Sequence, residues 1–397
     1  MTDWLWLVSL VGLTGFAAGW WLSRRRVRQS GLQQRGQFSA SYVEGMNYLL
    51  NEQPDRAIDV LVSMVEVDSE AVETHLALGT LFRNQGEVER AIRIHQNLIA
   101  RPTLSKGERS KALMNLGLDY KQAGLNDRAV VLFEQLVQES HPGKVKALES
   151  LLEIYQHEKE WLRAIAVSRK LQADDAVNQT HLIGHFYAEL AEAALEGGDL
   201  RGAAKMVRQI RGLAPQSPRY LLLELRLAKL RGKQRLRLRW LDAIINYCPD
   251  YRLQVLDDLE SYYLESNGES ELVARLLELA ADPDSGAQLV CQIAEKIRKI
   301  QDDEAAVSLL EEHVNRTWSP LLQAKLLSLR EFEGLTGGGT ESRKLAAELL
   351  EGLTLSSGHH RCGKCGFEAR EHHWRCPTCG AWESIQYKEV DRWLVHE

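Results

Sequence analysis

Residues 72–96 read VETHLALGTLFRNQGEVERAIRIHQ, and the order of small, aromatic and turn-forming residues in this stretch decides the fold. Leu78 and Gly79 stand just before Phe82, Gly86 breaks the run, and Ala91 sits in a second amphipathic run with Pro102 just past its end. Gly and Ala let two helices cross closely, the aromatic fills the gap between hairpins, and Gly or Asn opens the turn. The same order returns as Leu116, Gly117, Tyr120, Gly124, Ala129, Phe133 and Pro142. Upstream, Gly45, Tyr48, Ala57 and Leu61 keep it, with 34 residues from Gly45 to Gly79 and 34 from Ala57 to Ala91. Downstream, Ala164 follows Tyr155, and Ala203 comes with Gly198 and Pro215, at intervals of 35 and 39. Such a period marks a stack of helical hairpins, each burying its apolar face only against its neighbours. The signature is clear to residue 216. Beyond it Trp240, Ala243 and Pro249 make a weaker unit, and over 254–352 only helical patterning persists.

Composition agrees with an all-α array. A chain of 397 residues is too long for one compact core, and 44% hydrophobic with 26% charged residues argues against wholesale disorder. A net charge of −6 gives no electrostatic reason to expect nucleic acid. One basic stretch stands out: Arg226, Lys229, Arg231, Lys233, Arg235, Arg237 and Arg239. On a helix, Leu236, Trp240 and Ala243 are expected to share the buried stripe and leave these cations solvated.

Ahead of the array, residues 4–22, WLWLVSLVGLTGFAAGWWL, carry no charge. A helix of that length spans ~28 Å, close to the ~30 Å of a bilayer's hydrocarbon core. Tryptophans at both ends suit the membrane interface, and Arg24, Arg25, Arg26 and Arg28 follow at once. The arginine side is therefore expected in the cytoplasm, with the rest of the chain. Gly15 and Gly19 form a GxxxG pair that suits close helix packing.

At the other end, four of the six cysteines fall in two CxxC pairs, Cys362 with Cys365 and Cys376 with Cys379. Each CxxC turn presents two thiolates to one ion, and two such turns make a tetrahedral sulfur set that takes zinc or iron. A complete sulfur set leaves no open position for hydrolytic chemistry, and it makes His359, His360, His372 and His373 packing or surface residues. The run from Gly358 to Lys364 mimics the front of a phosphate loop, but Cys365 stands where Ser or Thr belongs. Gly337, Gly338 and Gly339 lack a lysine and a flanking strand, and His157-Glu158 lacks a second His at the right spacing. No enzyme activity is expected.

The hairpins resemble tetratricopeptide repeats, and the CPxCG knuckle with Trp374 and Trp382 nearby resembles rubredoxin and the zinc ribbons. Taken together, SASYVEGMNYLLNEQPDRAI at 39–58, the quoted run at 72–96, and RCGKCGF with HWRCPTCGAW within 361–382 resemble the bacterial lipopolysaccharide assembly protein B family over essentially the full length. The resemblance implies a transmembrane anchor at 1–23, a basic juxtamembrane linker at 24–37, a tetratricopeptide-repeat superhelix at 38–355 and a small rubredoxin-like ribbon at 356–397. It implies Cys362, Cys365, Cys376 and Cys379 as ligands of one iron or zinc ion. It also implies a single-pass adaptor on the cytoplasmic side of the bacterial inner membrane. There it would help the membrane AAA+ protease FtsH degrade the lipid A pathway deacetylase (UDP-3-O-acyl-N-acetylglucosamine deacetylase), alongside other lipopolysaccharide regulatory or assembly proteins. The alternative is a scaffold that assembles lipopolysaccharide biosynthesis enzymes at the membrane without proteolysis.

Overall fold

The computed structural model describes residues 43–45, 47–48, 53–67, 72–139, 143–174, 178–317, 319–329 and 360–387. The expected span at 1–23, its GxxxG pair, the basic linker at 24–37, the triple glycine at 337–339 and His359 lie outside the described residues. Among the described residues no helix is long and apolar enough to cross a membrane. The chain divides into two compact units, 1–179 and 180–397.

In the first unit, the helix Pro54–Val67 packs on the first of three antiparallel hairpins. These are Val72–Asn84 with Val88–Ile99, Lys106–Gln122 with Asn126–Gln138, and Lys144–His157 with Trp161–Ala173. Small residues set the crossings. A methyl group added to Gly79 would lie 2.5 Å from the His95 ring, and one on Gly117 would lie 2.6 Å from the Phe133 ring. Only glycine fits at either point. The partner positions Ala91, Ala129 and Ala164 are fully buried. Each aromatic at the end of a first helix receives an arginine eight residues on: Arg56 over Tyr48, Arg90 over Phe82, Arg128 over Tyr120 and Arg163 over Tyr155, all within 5.9 Å of the ring centre. Each such contact contributes ~0.5–1 kcal/mol at a partly exposed site.

His95 stands where the next hairpin has Phe133, sixteen residues after the crossing glycine. It is buried, and its Nδ1 lies 2.5 Å from Asp119 Oδ2, while Arg83 Nη1 donates to Asp119 Oδ1 at 2.8 Å. A polar clasp thus joins both helices of one hairpin to the first helix of the next.

The second unit carries on the same construction where the sequence signature fades. Its hairpins are Thr180–Glu196 with Leu200–Leu213, Pro218–Leu230 with Gln234–Tyr247, Arg252–Glu265 with Glu269–Ala281, and Ala287–Ile300 with Asp303–Arg316, followed by Pro320–Leu329. Six of these seven hairpin turns share one form, the exception being the last, where Gln301 has φ −108°. A residue with left-handed backbone closes the first helix at Gly86, Gly124, Lys159, Gly198, Gly232 and Asn267. At Gly86, Gly124, Gly198 and Gly232 the next amide donates back to the carbonyl five residues earlier, as Glu87 does to Phe82 at 2.8 Å and Lys233 to Ala228 at 3.0 Å. Lys159 and Asn267 take this conformation without glycine, and at Lys159 the turn survives with its sequence mark lost.

The expected buried stripe in the basic stretch is corrected by the structure. Leu236 is exposed and Ala243 only half-buried; the buried positions are Arg237, Leu241, Ile244 and Ile245. Arg237 turns inward because its guanidinium reaches both oxygens of Glu265, at 3.0 and 2.9 Å, and the Ser261 hydroxyl at 2.5 Å. Pairing removes most of the cost of burying the charge.

The C-terminal element of this unit is a three-stranded antiparallel sheet. Its strand order is Glu368–Ala369, His360–Cys362, Ile385–Tyr387, with His360 opposite both Ala369 and Tyr387. Among the described residues its own core is Cys362, Cys376 and Ile385, with Phe367 against them. So small a core needs a metal to hold it.

Candidate functional site

The two CxxC turns are near copies. In the first, Cys362 N donates to Phe367 O at 2.8 Å and Gly366 N to Cys362 O at 3.0 Å; in the second, Cys376 N donates to Ala381 O at 2.8 Å and Gly380 N to Cys376 O at 2.9 Å. Gly366 and Gly380 follow the second cysteine of each pair with φ of 76° and 69°, a conformation that L side chains rarely adopt. Arg361 and Arg375 precede the pairs and lay their guanidinium groups beside these glycines.

Together the turns bring all four expected cysteines to one point, every Sγ within 4.8 Å of the others. The Cys362–Cys379 and Cys365–Cys376 sulfurs are 3.7 and 3.6 Å apart. A tetrahedron of sulfurs bonded at ~2.3 Å has edges of ~3.8 Å, whereas a disulfide needs ~2.05 Å. The set therefore fits one metal ion in a Cys₄ site. Electrostatics agree. The Ser384 hydroxyl, 3.3 Å from Cys362 Sγ, holds that thiol down to about 6, with help from the amides of Cys365 and Lys364. The Phe367 amide favours the Cys365 thiolate, but burial and the three neighbouring sulfurs push it up to about 12. Four thiolates so close together need a cation to coexist.

The ribbon's two indoles are seated against the second unit's array on partners that sequence reasoning did not single out. Contacts come from three of the unit's hairpins and from the short turn Pro249–Tyr251 that leads into the helix Arg252–Glu265. Trp382 stacks on His185, with ring centres 4.9 Å apart, and meets the edge of Phe186. Trp374 stacks on Tyr251 at 5.5 Å, nearly parallel. Arg219 lies over both indoles, 5.4 Å from Trp374 and 5.8 Å from Trp382. The Tyr387 hydroxyl donates to Gln288. Arg219 is 2% exposed, yet its charge is met: Nη2 donates to Glu189 at 2.6 Å and to Glu192 at 2.9 Å, and Nε to Glu192 at 3.2 Å. The Ser217 hydroxyl caps the helix that carries Arg219, accepting from Tyr220 N at 3.2 Å, with Pro218 in its first turn.

Charged and titratable groups close the interface. Glu383 reaches His185 Nε2 at 3.1 Å and His181 Nδ1 at 3.5 Å, and the His185 contact holds its carboxyl below the usual range. His372 lies between His360, Tyr251 and Trp374, and burial pushes it down to about 4. His360 and His372 are thus packing residues, as expected, and His373 is exposed. The signal available in the sequence was the indole pair beside the knuckle: Trp374 and Trp382, on so small a ribbon, require an apolar partner.

Comparison with known proteins places these features in a wider setting. Residues 360–386 match a family described as a rubredoxin metal binding domain. The chain is similar to Lipopolysaccharide assembly protein B of Escherichia coli (strain K12), 33% identical, over 93% of this chain and 95% of that one. It is similar to the protein of the same name from Haemophilus influenzae, 29% identical, over 93% and 95%. Among solved structures it matches the C-terminal part of a TPR repeat-containing protein from Cytophaga hutchinsonii, 12% identical with a TM-score of 0.36, over 76% of this chain and 99% of that one.

Proposed function

The chain belongs to the lipopolysaccharide assembly protein B family, and on that premise we propose that it is a non-enzymatic adaptor in lipopolysaccharide assembly. It is anchored in the bacterial inner membrane by residues 1–23, with the array and ribbon on the cytoplasmic side. There it promotes degradation of the lipid A pathway deacetylase by the membrane protease FtsH. The observation that carries the reading is the match to curated relatives at 33% identity over 93% of this chain and 95% of theirs. Stacked hairpins supply area and shape suited to a protein surface, and Cys362, Cys365, Cys376 and Cys379 hold one zinc or iron ion that staples the ribbon. Anchoring raises the effective concentration of adaptor near a membrane protease without new contacts.

The test is the half-life of the deacetylase in cells with and without this gene, and with the Cys362→Ser/Cys365→Ser chain. A deacetylase that becomes long-lived in both altered strains supports a proteolytic adaptor that needs its ribbon. An unchanged half-life removes that reading. The relatives' name, assembly protein, favours a second one: a scaffold that gathers biosynthetic enzymes without altering their turnover. Co-purification of several pathway enzymes with unchanged half-lives is its signature.

A further inference from the structure

A second group of side chains in the ribbon-bearing unit has the chemistry and spacing of a chelate. His181 and His185 stand four residues apart on the helix Thr180–Glu196, so their rings project from one face. Facing them across the ribbon contact is Glu383, one oxygen 3.1 Å from His185 Nε2 and the other 3.5 Å from His181 Nδ1. All three ligand atoms lie within 4.8 Å of one another. Nitrogen and oxygen ligands bonded to one zinc at ~2.0–2.1 Å in a tetrahedron sit ~3.4 Å apart, and the carboxylate meets each ring near that distance, one oxygen to each.

We propose that His181, His185 and Glu383 form a second metal site, which takes a divalent transition ion such as zinc and clamps the ribbon to the array. Glu383 is aimed at the helix by its backbone. Its φ is 48°, uncommon for a residue with a side chain, and its amide donates to Trp374 O at 2.9 Å. Its neighbours on either side are fixed as well, Trp382 stacked on His185 and Ser384 against Cys362 Sγ. The cysteine knuckle therefore builds the loop that offers Glu383, and the second ion binds only after the first.

The local charge favours a cation. Arg219 is offset by Glu189 and Glu192, which leaves the Glu383 carboxylate for the ion. Arg219 Nη1 lies 3.4 Å from His185 Nδ1 but also 3.5 Å from the His185 carbonyl, so it keeps an acceptor when that ring nitrogen carries a proton. Access is open. The His181 side chain is 69% exposed, and with Glu383 it lines a cleft of about 520 Å³ that also includes Ser217, Asp250 and Tyr251. Two histidines and one carboxylate leave a fourth position, which water or a ligand in that cleft would fill.

The experiment uses the untagged full-length chain in detergent, loaded with Zn²⁺, dialysed, and assayed for zinc per chain, with Zn²⁺ titration calorimetry beside it. The expected result is two ions per chain, falling to one in His181→Ala and in Glu383→Gln, or a loss of second-site affinity on the order of 10- to 100-fold. His181→Ala removes an exposed ring and leaves the Trp382 stack in place, so a folded ribbon, checked by tryptophan fluorescence, separates ligand loss from unfolding. The Cys362→Ser/Cys365→Ser chain is expected to bind neither ion. One ion in the unaltered chain, or a second ion bound with unchanged affinity in His181→Ala, overturns the proposal.

Discussion

The two units build the same hairpin with different materials. In the first, shape sets the helix crossings: Gly79 under His95, Gly117 under Phe133, and buried alanines opposite. In the second, four cations are buried among the described residues, Arg219, Arg237, Arg252 and Lys296, each at most 6% exposed. Three of them reach carboxylates on a neighbouring hairpin: Arg219 to Glu192, Arg237 to Glu265, and Lys296 to Asp257 and Glu260. Directional pairs fix how two helices meet without demanding a particular small residue at the contact. The second unit can therefore vary its small and aromatic positions and keep its stacking. It also has a further ligand of its own, since the ribbon's indoles cover Arg219.

The largest way to break this contrast is to remove the metal. Structural zinc contributes ~10 kcal/mol or more to small knuckles. Chelation, or Cys362→Ser/Cys365→Ser, is expected to unfold the ribbon and uncover His185, Arg219 and Tyr251. Amide hydrogen exchange checks it. Protection should fall in Thr180–Glu196 and Pro218–Leu230 and stay unchanged in Lys106–Gln122 and Asn126–Gln138. Equal loss across both units would mean that the ribbon supports the whole array.

Next in size is Arg219→Met. Breaking a buried pair by removing one partner costs ~3–5 kcal/mol, and the half-buried Glu189 and Glu192 can regain some water, so ~2–3 kcal/mol is expected. The loss should fall on the second unit alone and should also raise the accessibility of Trp374 and Trp382 to a collisional quencher. A stability loss with no change in quenching would confine Arg219 to helix packing.

These contrasts explain how much was legible in the sequence. The hairpins of the first unit could be read because a crossing glycine, an aromatic and a buried alanine are each forced by close contact, and the cysteine knuckle because four thiols at that spacing have one use. The arginine eight residues after each aromatic was equally legible, at Arg56, Arg90, Arg128 and Arg163, and had simply not been sought. Lys159 could not be read as a turn, because glycine or asparagine is the usual mark of left-handed backbone, whereas Asn267-Gly268 carries that mark and had been passed over. Arg237 could not be read as buried, because its carboxylate partner lies 28 residues away and only the stacking brings Glu265 to it. The seat of the ribbon was hidden for the same reason. His185, Arg219, Tyr251 and Gln288 are spread over a hundred residues and share no local pattern.

Shape complementarity in the first unit can be sharpened with Gly117→Ala. The added methyl would lie 2.6 Å from the Phe133 ring, so the helices must part or the ring must turn. Overpacking of this kind costs ~1–3 kcal/mol, partly offset by the better helix propensity of alanine. Combining it with Phe133→Leu tests the assignment, because a smaller side chain makes room. The double variant should lose less than the sum of the two single ones in chemical denaturation. Additive losses would place the strain elsewhere.

The smallest expected effect is on pH dependence, and it belongs to the second unit. His372 is pushed down to about 4 by burial against Tyr251 and Trp374, with His360 and His373 adding like charge, while in the unfolded chain it titrates near 6.5. Between those values the unfolded chain takes up a proton that the folded chain refuses, so stability falls as pH drops from about 6.5 towards 4. Because the ring keeps some contact with water, ~1 kcal/mol is a fair ceiling. Glu383 acts in the same direction at the lower end. Its carboxyl is held down by His185, so what it contributes is lost as pH falls through that depressed value. The measurement is ribbon unfolding by tryptophan fluorescence across this range, in the metal-loaded chain and in His372→Asn. Asparagine keeps a polar side chain in the slot and cannot titrate there, so the slope should flatten between pH 6.5 and 5, above the range where the cysteines begin to release the ion. An unchanged slope would assign that dependence to thiolate protonation and leave His372 a packing residue only.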